Sequence, residues 1–428
     1  MAQFSKQEVV DFNAAATGFQ DSLTISGLFG KFKMDAVVAE RSLNTVWRPM
    51  PYIVQSYSGV DQTANFNRDY VQMSVPTSLN MTRTVPLTMS ALELRDAAQR
   101  GKLGNAAMQR LSSDINIACS NLACGTGAIF VKRANAPTGY DDIAEADNAM
   151  NRVGIETTGR QFLLPSAHYN SMAGNLAARV LDNSHSAEAL RKAYLGEIAG
   201  FETYKAQYSQ RLTAAAGVGV SITAANSRLI PRATSTGAGG EVGNVDNRFQ
   251  VIGITVTSGA VKVGDAFQIA GVNEVHHITK IDTGRPKTFR VQAIITGAGG
   301  TGTISMNPPV ICPDGGSPTD GERQYQNVTT TPAAGAAVTF LNTSSTGGDG
   351  LLAPFWHESC FEICAGRYEP DADAGMPVLA MTTDQGITIT MTKQADINQL
   401  NTKFRWDIYY GLVNLNPQMS GVAMFGQP

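Results

Sequence analysis

The chain has 428 residues, long for one hydrophobic core, so two or three structural units are expected. Its hydrophobic fraction of 43% is ordinary, but only 16% of residues are charged and 42 are glycine, a polar, weakly charged make-up that suits extended loops and broad protein contacts. The net charge of −3, with no basic run beyond pairs such as Lys132-Arg133 and Arg191-Lys192, excludes the clustered charge of a tight nucleic-acid binder.

Residues 1–35 carry Val9, Val10, Phe12, Phe19, Leu23 and Leu28 in an irregular amphipathic pattern broken by Gly18, Gly27 and Gly30, which predicts a helix and an arm. Residues 36–89 turn to Pro, Thr, Ser, Gln and Asn with short β-prone runs. They read as a long extended hairpin that cannot bury a face of its own, in which Trp47, Tyr52, Tyr70 and Met73, with Met81 and Met89, pack against an adjacent subunit. Ser90-Ala91-Leu92-Glu93 is a capping box that starts a helix, and Gly101 and Gly104 are expected to interrupt it. Met108, Leu111, Ile115 and Leu122 then recur at helical spacing as a core-facing stripe that ends near Gly125. A helix over 141–153, a short strand over 161–165, a helix over 166–179 and a strand entered from 194–204 complete an α+β unit over 90–212.

Composition shifts near residue 212. From 213 to 346 Gly, Thr, Val and Ala dominate, and short strands are predicted over 249–256, 265–269, 276–281, 288–295, 302–305 and 337–341, separated by turn clusters. That spacing predicts a small all-β barrel or sandwich. Residues 347–428 return to α+β character, with Ile387 to Met391 alternating strictly. One β domain between two flanks of like character is most economically an insertion into a discontinuous host.

Chemistry is sparse. No nucleophile elbow, phosphate loop, His-Glu-x-x-His or complete calcium loop is present, so no catalytic residue, cofactor or metal site is expected and the chain is read as no enzyme. Cys119, Cys124, Cys312, Cys360 and Cys364 read as buried thiols, with a metal site at Cys360, Cys364 and His357 the minor alternative. The acidic stretches Asp314 to Glu322 and Asp371 to Asp373 read as solvated loops. His276 and His277, on a predicted strand, would point to opposite faces. Trp47, Trp356 and Trp406 read as core or interface anchors. Neither a signal peptide nor an apolar run of about 18 residues is found, so no membrane partner is expected.

Four stretches, together spanning most of the chain, resemble the coat proteins of short-tailed Salmonella-type phages. They are Arg41 to Trp47 with Pro49; Leu195 to Phe201; Asn244 to Phe249 with Gly264 to Val272; and Gln394 to Ile397 with Tyr409 to Asn414 and Gly421-Val422. The resemblance implies the tailed-phage major-capsid fold: an N-terminal arm, an extended loop, a long spine helix, and peripheral and axial domains, with an inserted all-β barrel. It also implies self-assembly into hexamers and pentamers of an icosahedral shell, guided by a scaffolding protein, joined by a portal protein and enclosing double-stranded DNA without sequence-specific binding. A virion location, with assembly in the host cytoplasm, goes with it. One loop of the insertion is implied to contact a neighbouring subunit across local two-fold axes; by position it is 228–247, where only Arg228, Arg232, Glu241 and Asp246 carry charge. Some members of the wider fold cross-link through a lysine of the extended loop, but no lysine lies between Lys33 and Lys102, so a non-covalent shell is expected. The alternative from another class is a β-rich surface protein that binds a receptor or carbohydrate.

Overall fold

The computed structural model describes residues 4, 6–33, 44–50, 53–63, 65–66, 68–90, 92–95, 97–178, 195–297, 299–314, 317–343, 350–368, 377–383 and 386–427. The chain divides into two compact units, each discontinuous in sequence: 1–46, 76–122 and 361–413 form the first, and 47–75, 123–360 and 414–428 the second.

In the first unit, helix α1 (Lys6–Ser22) buries Phe12, Ala15, Ala16 and Phe19, residues three or four apart and so on one face. Helix α2 (Ala97–Thr126) buries Met108, Leu111, Ile115 and Cys119 in the same way, while Leu122 is half-buried. The helix is continuous through Gly101 and Gly104, contrary to the expected interruption. Nothing lies within 4 Å of where a Cβ at Gly101 would be, and one at Gly104 would meet the Ala15 Cβ at an ordinary 3.7 Å, so packing requires glycine at neither position and neither breaks the helix. The capping box forms, with Ser90 N–H donating to Glu93 Oε2 at 2.8 Å and Glu93 N–H to Ser90 Oγ at 3.3 Å, but it opens a single 3-10 turn (Glu93–Arg95) ahead of the helix. The unit's six-stranded sheet runs Gly30–Lys33, Phe361–Ala365, Asn401–Asn414, Thr388–Asp396 and Val378–Thr382, with Met81–Ser90 antiparallel to Asn401–Asn414. The far end of the expected free hairpin is thus a sheet strand, and its Met89 is buried.

The second unit holds a six-stranded sheet in the order Ile129–Lys132, Ser420–Met424, Leu352–His357, Arg160–Pro165, Phe201–Ala206, Glu197–Ile198. Helix α3 (Tyr140–Val153) buries Ile143, Ala146, Met150 and Val153 in one core with Phe162, Leu164, Phe201 and Phe355; helix α4 (Ser166–Ala178) adds Tyr169, Met172 and Ala173.

The same unit contains the inserted barrel. Its strands run Val338–Phe340, Ala266–Val275, Asp282–Thr296, Gly300–Asn307, Gln250–Val256 and Ser221–Ile222, and a bridge from Ser221 back to Ala337 closes the circle. Closure removes the free edges that an open sheet of such short strands would present. Gln250, Ile252, Ile254 and Val256 point inward while Val251, Gly253 and Thr255 do not, the two-residue period of a strand with one wet face. Phe267 and Phe289 stack at 5.7 Å in the centre of the core. Residues 276–281 are not a strand: His276 N–H donates to Ile281 O at 2.9 Å, Lys280 N–H to His276 O at 2.9 Å, and Lys280 has φ +59°, so this is the hairpin connection. Both His276 and His277 therefore lie in a turn.

Candidate functional site

Within the second unit, which takes in residues 123–126 of α2, side chains of the barrel cap that C-terminal end of the helix. Its last carbonyls have no partner within the helix. Arg290, wholly buried, donates to Cys124 O and to Gly264 O at 3.2 Å; Gln292 Nε2 donates to Gly125 O at 3.1 Å and Asn307 Nδ2 to Thr126 O at 2.7 Å. Burial pulls the Arg290 guanidinium down to about 10, so it stays cationic at neutral pH against the negative end of the helix dipole.

The second feature is the seat of the extended segment. Strands Thr45–Pro49 and Ser74–Ser78 pair as a ribbon, and the described residues between them hold no regular structure. Their base lies against helix α5 (Asp320–Tyr325) and the loops beside it. Tyr325 Oη donates to Val71 O at 2.9 Å, Val71 N–H to Gln324 Oε1 at 3.1 Å, Asp69 N–H to Asp320 Oδ2 at 3.3 Å, and Arg68 pairs with Asp320 at 3.4 Å. Met73 is buried against Ile311 and Tyr325, with Met50, Ile53, Val71 and Leu229 around them. A cavity of about 60 Å³ at this base is lined by Met50, Ile53, Met73, His277, Tyr325 and Gln418, among others. A Cβ at Gly321 would lie 3.0 Å from Val71 Cγ2 and 3.2 Å from Pro231 O, which is why glycine stands there.

Of the expected packing residues of this segment, Met73 is therefore used inside the subunit, Trp47 is half-buried and Tyr70 is half exposed at 52%. Tyr52 lies outside the described residues. The exposed apolar groups are instead Val54, Val60 and Phe66 near the tip.

Asp314 and Ser317 of the acidic stretch are exposed as expected, but its end at Glu322 is not a solvated loop. Thr319 and Glu322 form a capping box, with Glu322 N–H donating to Thr319 Oγ1 at 3.2 Å and Thr319 N–H to Glu322 Oε2 at 2.8 Å. Arg228 Nε donates to Glu322 Oε1 at 2.7 Å, and Glu322 is fully buried. Burial alone would raise the Glu322 carboxyl, but the Thr319 and Arg228 donors outweigh it and hold the group below its ordinary value. The Thr-x-x-Glu spacing was a readable signal for this turn. Residues 371–373 lie outside the described residues.

The four charges of 228–247 are thereby sorted. Arg228 is committed to Glu322. Asp246 is committed to Arg248 at 2.6 Å, and Arg248 Nη1 also donates to Asn414 O at 2.7 Å. Arg232 and Glu241 are exposed and make no ion pair among the described residues. Between them the loop forms a hairpin of Thr234–Thr236 with Val242–Asn244, all six residues exposed.

All five cysteines are buried free thiols; Cys360 Sγ lies 3.1 Å from Asn414 Oδ1 and burial pushes it up to about 12. Trp356 and Trp406 are buried, each inside its own unit. Among the described residues no three His, Cys, Asp or Glu side chains come together as a metal site, and no helix is long and apolar enough to cross a membrane.

Comparison with known proteins gives the following likenesses. The chain is similar to the structure from Mycobacterium phage Che8, at 10% identity over 94% of this chain and 90% of that one, with a TM-score of 0.44. It is similar to the bacteriophage PhiM1 mature capsid at 8% identity over 94% and 86%, TM-score 0.44. The CUS-3 coat protein I-domain is 35% identical over 29% of this chain and 96% of that one, TM-score 0.22. The family model described as P22 coat protein, gene protein 5, matches residues 1–426, and the chain therefore belongs to the P22 coat protein family of phage capsid proteins.

Proposed function

We propose that this capsid-building chain assembles, with a scaffolding protein, into an icosahedral procapsid of hexamers and pentamers that expands as double-stranded DNA is packaged. The family match over 1–426 is the observation that carries the reading. A portal protein completes the particle, assembly takes place in the host cytoplasm, and the shell encloses DNA without sequence-specific grip, in keeping with the net charge of −3.

The insertion spans 213–346 in this reading, between a core of 90–212 and 347–428, with the arm at 1–35 and the extended loop at 36–89. The stretch from Lys33 to Lys102 has no lysine between its ends, so the extended loop brings no amine to a neighbour and the shell is non-covalent. Cohesion then falls to the apolar tip at Val54, Val60 and Phe66, and to the exposed hairpin of the insertion.

Co-expression with a scaffolding partner, followed by negative-stain imaging and intact-mass measurement of denatured particles, tests this. Closed shells that dissolve into single-chain masses are expected. A chain that stays monomeric with its partner present, or ladders of linked chains, would overturn the assembly or the non-covalent part respectively.

A further inference from the structure

The insertion is fastened to its host at two helix ends, and the two fastenings differ in kind. At the end of α2 the donors are Arg290, Gln292 and Asn307, which reach the carbonyls of Cys124, Gly125 and Thr126. None of these side chains changes charge as the pH falls below neutral, since the guanidinium is already cationic and the amides do not titrate. At the end of α3 the fastening is the barrel's own turn, 276–281, with the strand that leads into it. His277 N–H donates to Val153 O at 2.7 Å, and Arg152 Nε donates to Glu274 Oε1 at 3.0 Å. The His276 ring lies on Gly154, where a Cβ would stand 2.5 Å from its Cε1 and Nε2. This second fastening is built around two imidazoles.

We propose that it is a proton-operated release: when His276 and His277 take up protons, the turn lifts from the end of α3 while the barrel stays held at α2. The geometry of each ring carries the argument. His276 Nδ1 accepts from Ile278 N–H at 3.3 Å and from Thr279 N–H at 3.2 Å, so it shapes the turn as an acceptor. A proton placed there becomes a third donor facing two others, and both bonds are lost. His277 is half-buried at the wall of the cavity that Val153, Val275 and Tyr325 also line. The groups around it do not welcome a further charge. His276, Lys280 and Lys287 of the hairpin and Arg152 of α3 are basic, Glu274 is already paired with Arg152, Asp282 is turned to Asn273 and the Gly284 N–H, and Tyr325 is uncharged. Burial first, then Lys280, Lys287 and His276, push the His277 imidazole down to about 4. The closed turn therefore holds both rings neutral, and acid favours the open one. Opening uncouples the insertion from α3 without unfolding either, and leaves the α2 fastening as its hinge.

Amide exchange of the full-length chain, corrected for the chemical exchange rate and followed from neutral pH to about pH 4.5, tests this. Protection at 151–155 and 274–282 should fall about ten-fold or more, while that at 124–126 and in the barrel strands holds. A fall of equal size at both helix ends, or none at the end of α3, would overturn the proposal. The double variant H276N/H277Q has no proton site at the turn, and its side-chain amide oxygen at position 276 still offers the two N–H groups an acceptor. It should stay closed in acid; opening as large as in the unmodified chain would exclude the imidazoles as the trigger. Should the variant be open already at neutral pH, NMR titration of the five histidine rings of the unmodified chain decides. A ring midpoint that coincides with the opening supports the release, and midpoints that all lie elsewhere contradict it.

Discussion

The barrel and the extended segment of 53–73 belong to the same compact unit and are held by opposite means. The barrel closes on itself around Ile252, Ile254, Phe267, Phe289 and Val291, so its shape is set by its own packing. The segment has no core: Val54, Tyr57, Val60, Phe66 and Tyr70 are exposed, and Met73 is its anchor at the base. Its path is set by polar tethers to Asp320, Gln324 and Tyr325. The difference teaches where stability is concentrated and where movement is cheap, since a segment held by a few hydrogen bonds opens at a small fraction of the cost of a domain.

The comparison can be broken most forcefully at Phe289. Phe289→Ala should cost about 3–5 kcal/mol by denaturant unfolding and lower amide protection throughout the barrel. A loss confined to the neighbouring strand would mean that the barrel does not behave as one cooperative core. Next in size, a disulfide between V71C and G321C is within reach, because a Cβ at Gly321 lies 3.6 Å from the Val71 Cβ, and it requires the Pro231 carbonyl, 3.2 Å from that Cβ, to give by a few tenths of an ångström. It should slow proteolysis of 53–66 and stabilise by about 2–4 kcal/mol, whereas failure to oxidise would show that the seat is not kept in solution.

Tyr325→Phe deletes only the hydroxyl bond to Val71 O and should cost about 1 kcal/mol, read as faster amide exchange around 69–73 with unchanged protection in the barrel. Equal changes in both would erase the distinction between the two regions. The last prediction is a pH slope. Burial, with the positive charges of Lys280, Lys287 and His276, pushes the His277 imidazole down to about 4 from its ordinary 6.5. The unfolded chain binds the proton first, so this contribution to stability is complete above about 6.5 and is lost as the pH falls toward 4. His277→Gln should flatten that slope; an unchanged slope would place the acid sensitivity elsewhere.

Periodicity carried much of the fold. The alternation of Gln250 to Val256 and the helical spacing of Met108, Leu111 and Ile115 each match a buried face, because burial of one face is what those periods encode. Local rules failed where a distant partner decided the outcome. Gly101 and Gly104 look like breakers, yet the helix that buries Met108, Leu111 and Ile115 runs through both. Residues 276–281 carry strand-prone Ile278, Thr279 and Ile281, yet a left-handed Lys280 and two turn hydrogen bonds make them a connection. Within the candidate loop the charges were legible, but their availability was not. The partner of Arg228 is Glu322, 94 residues away, and no sequence window holds both. The Asp246–Arg248 pair, two residues apart, was within reach of inspection.

The central claim is that this chain builds a closed shell from copies of a subunit that carries a barrel insertion. Cryo-microscopy of particles made from the purified chain with its scaffolding partner tests it most directly. The account predicts icosahedral shells in which each subunit shows the barrel. A population of monomers or irregular aggregates under conditions where the partner is folded and present would contradict it.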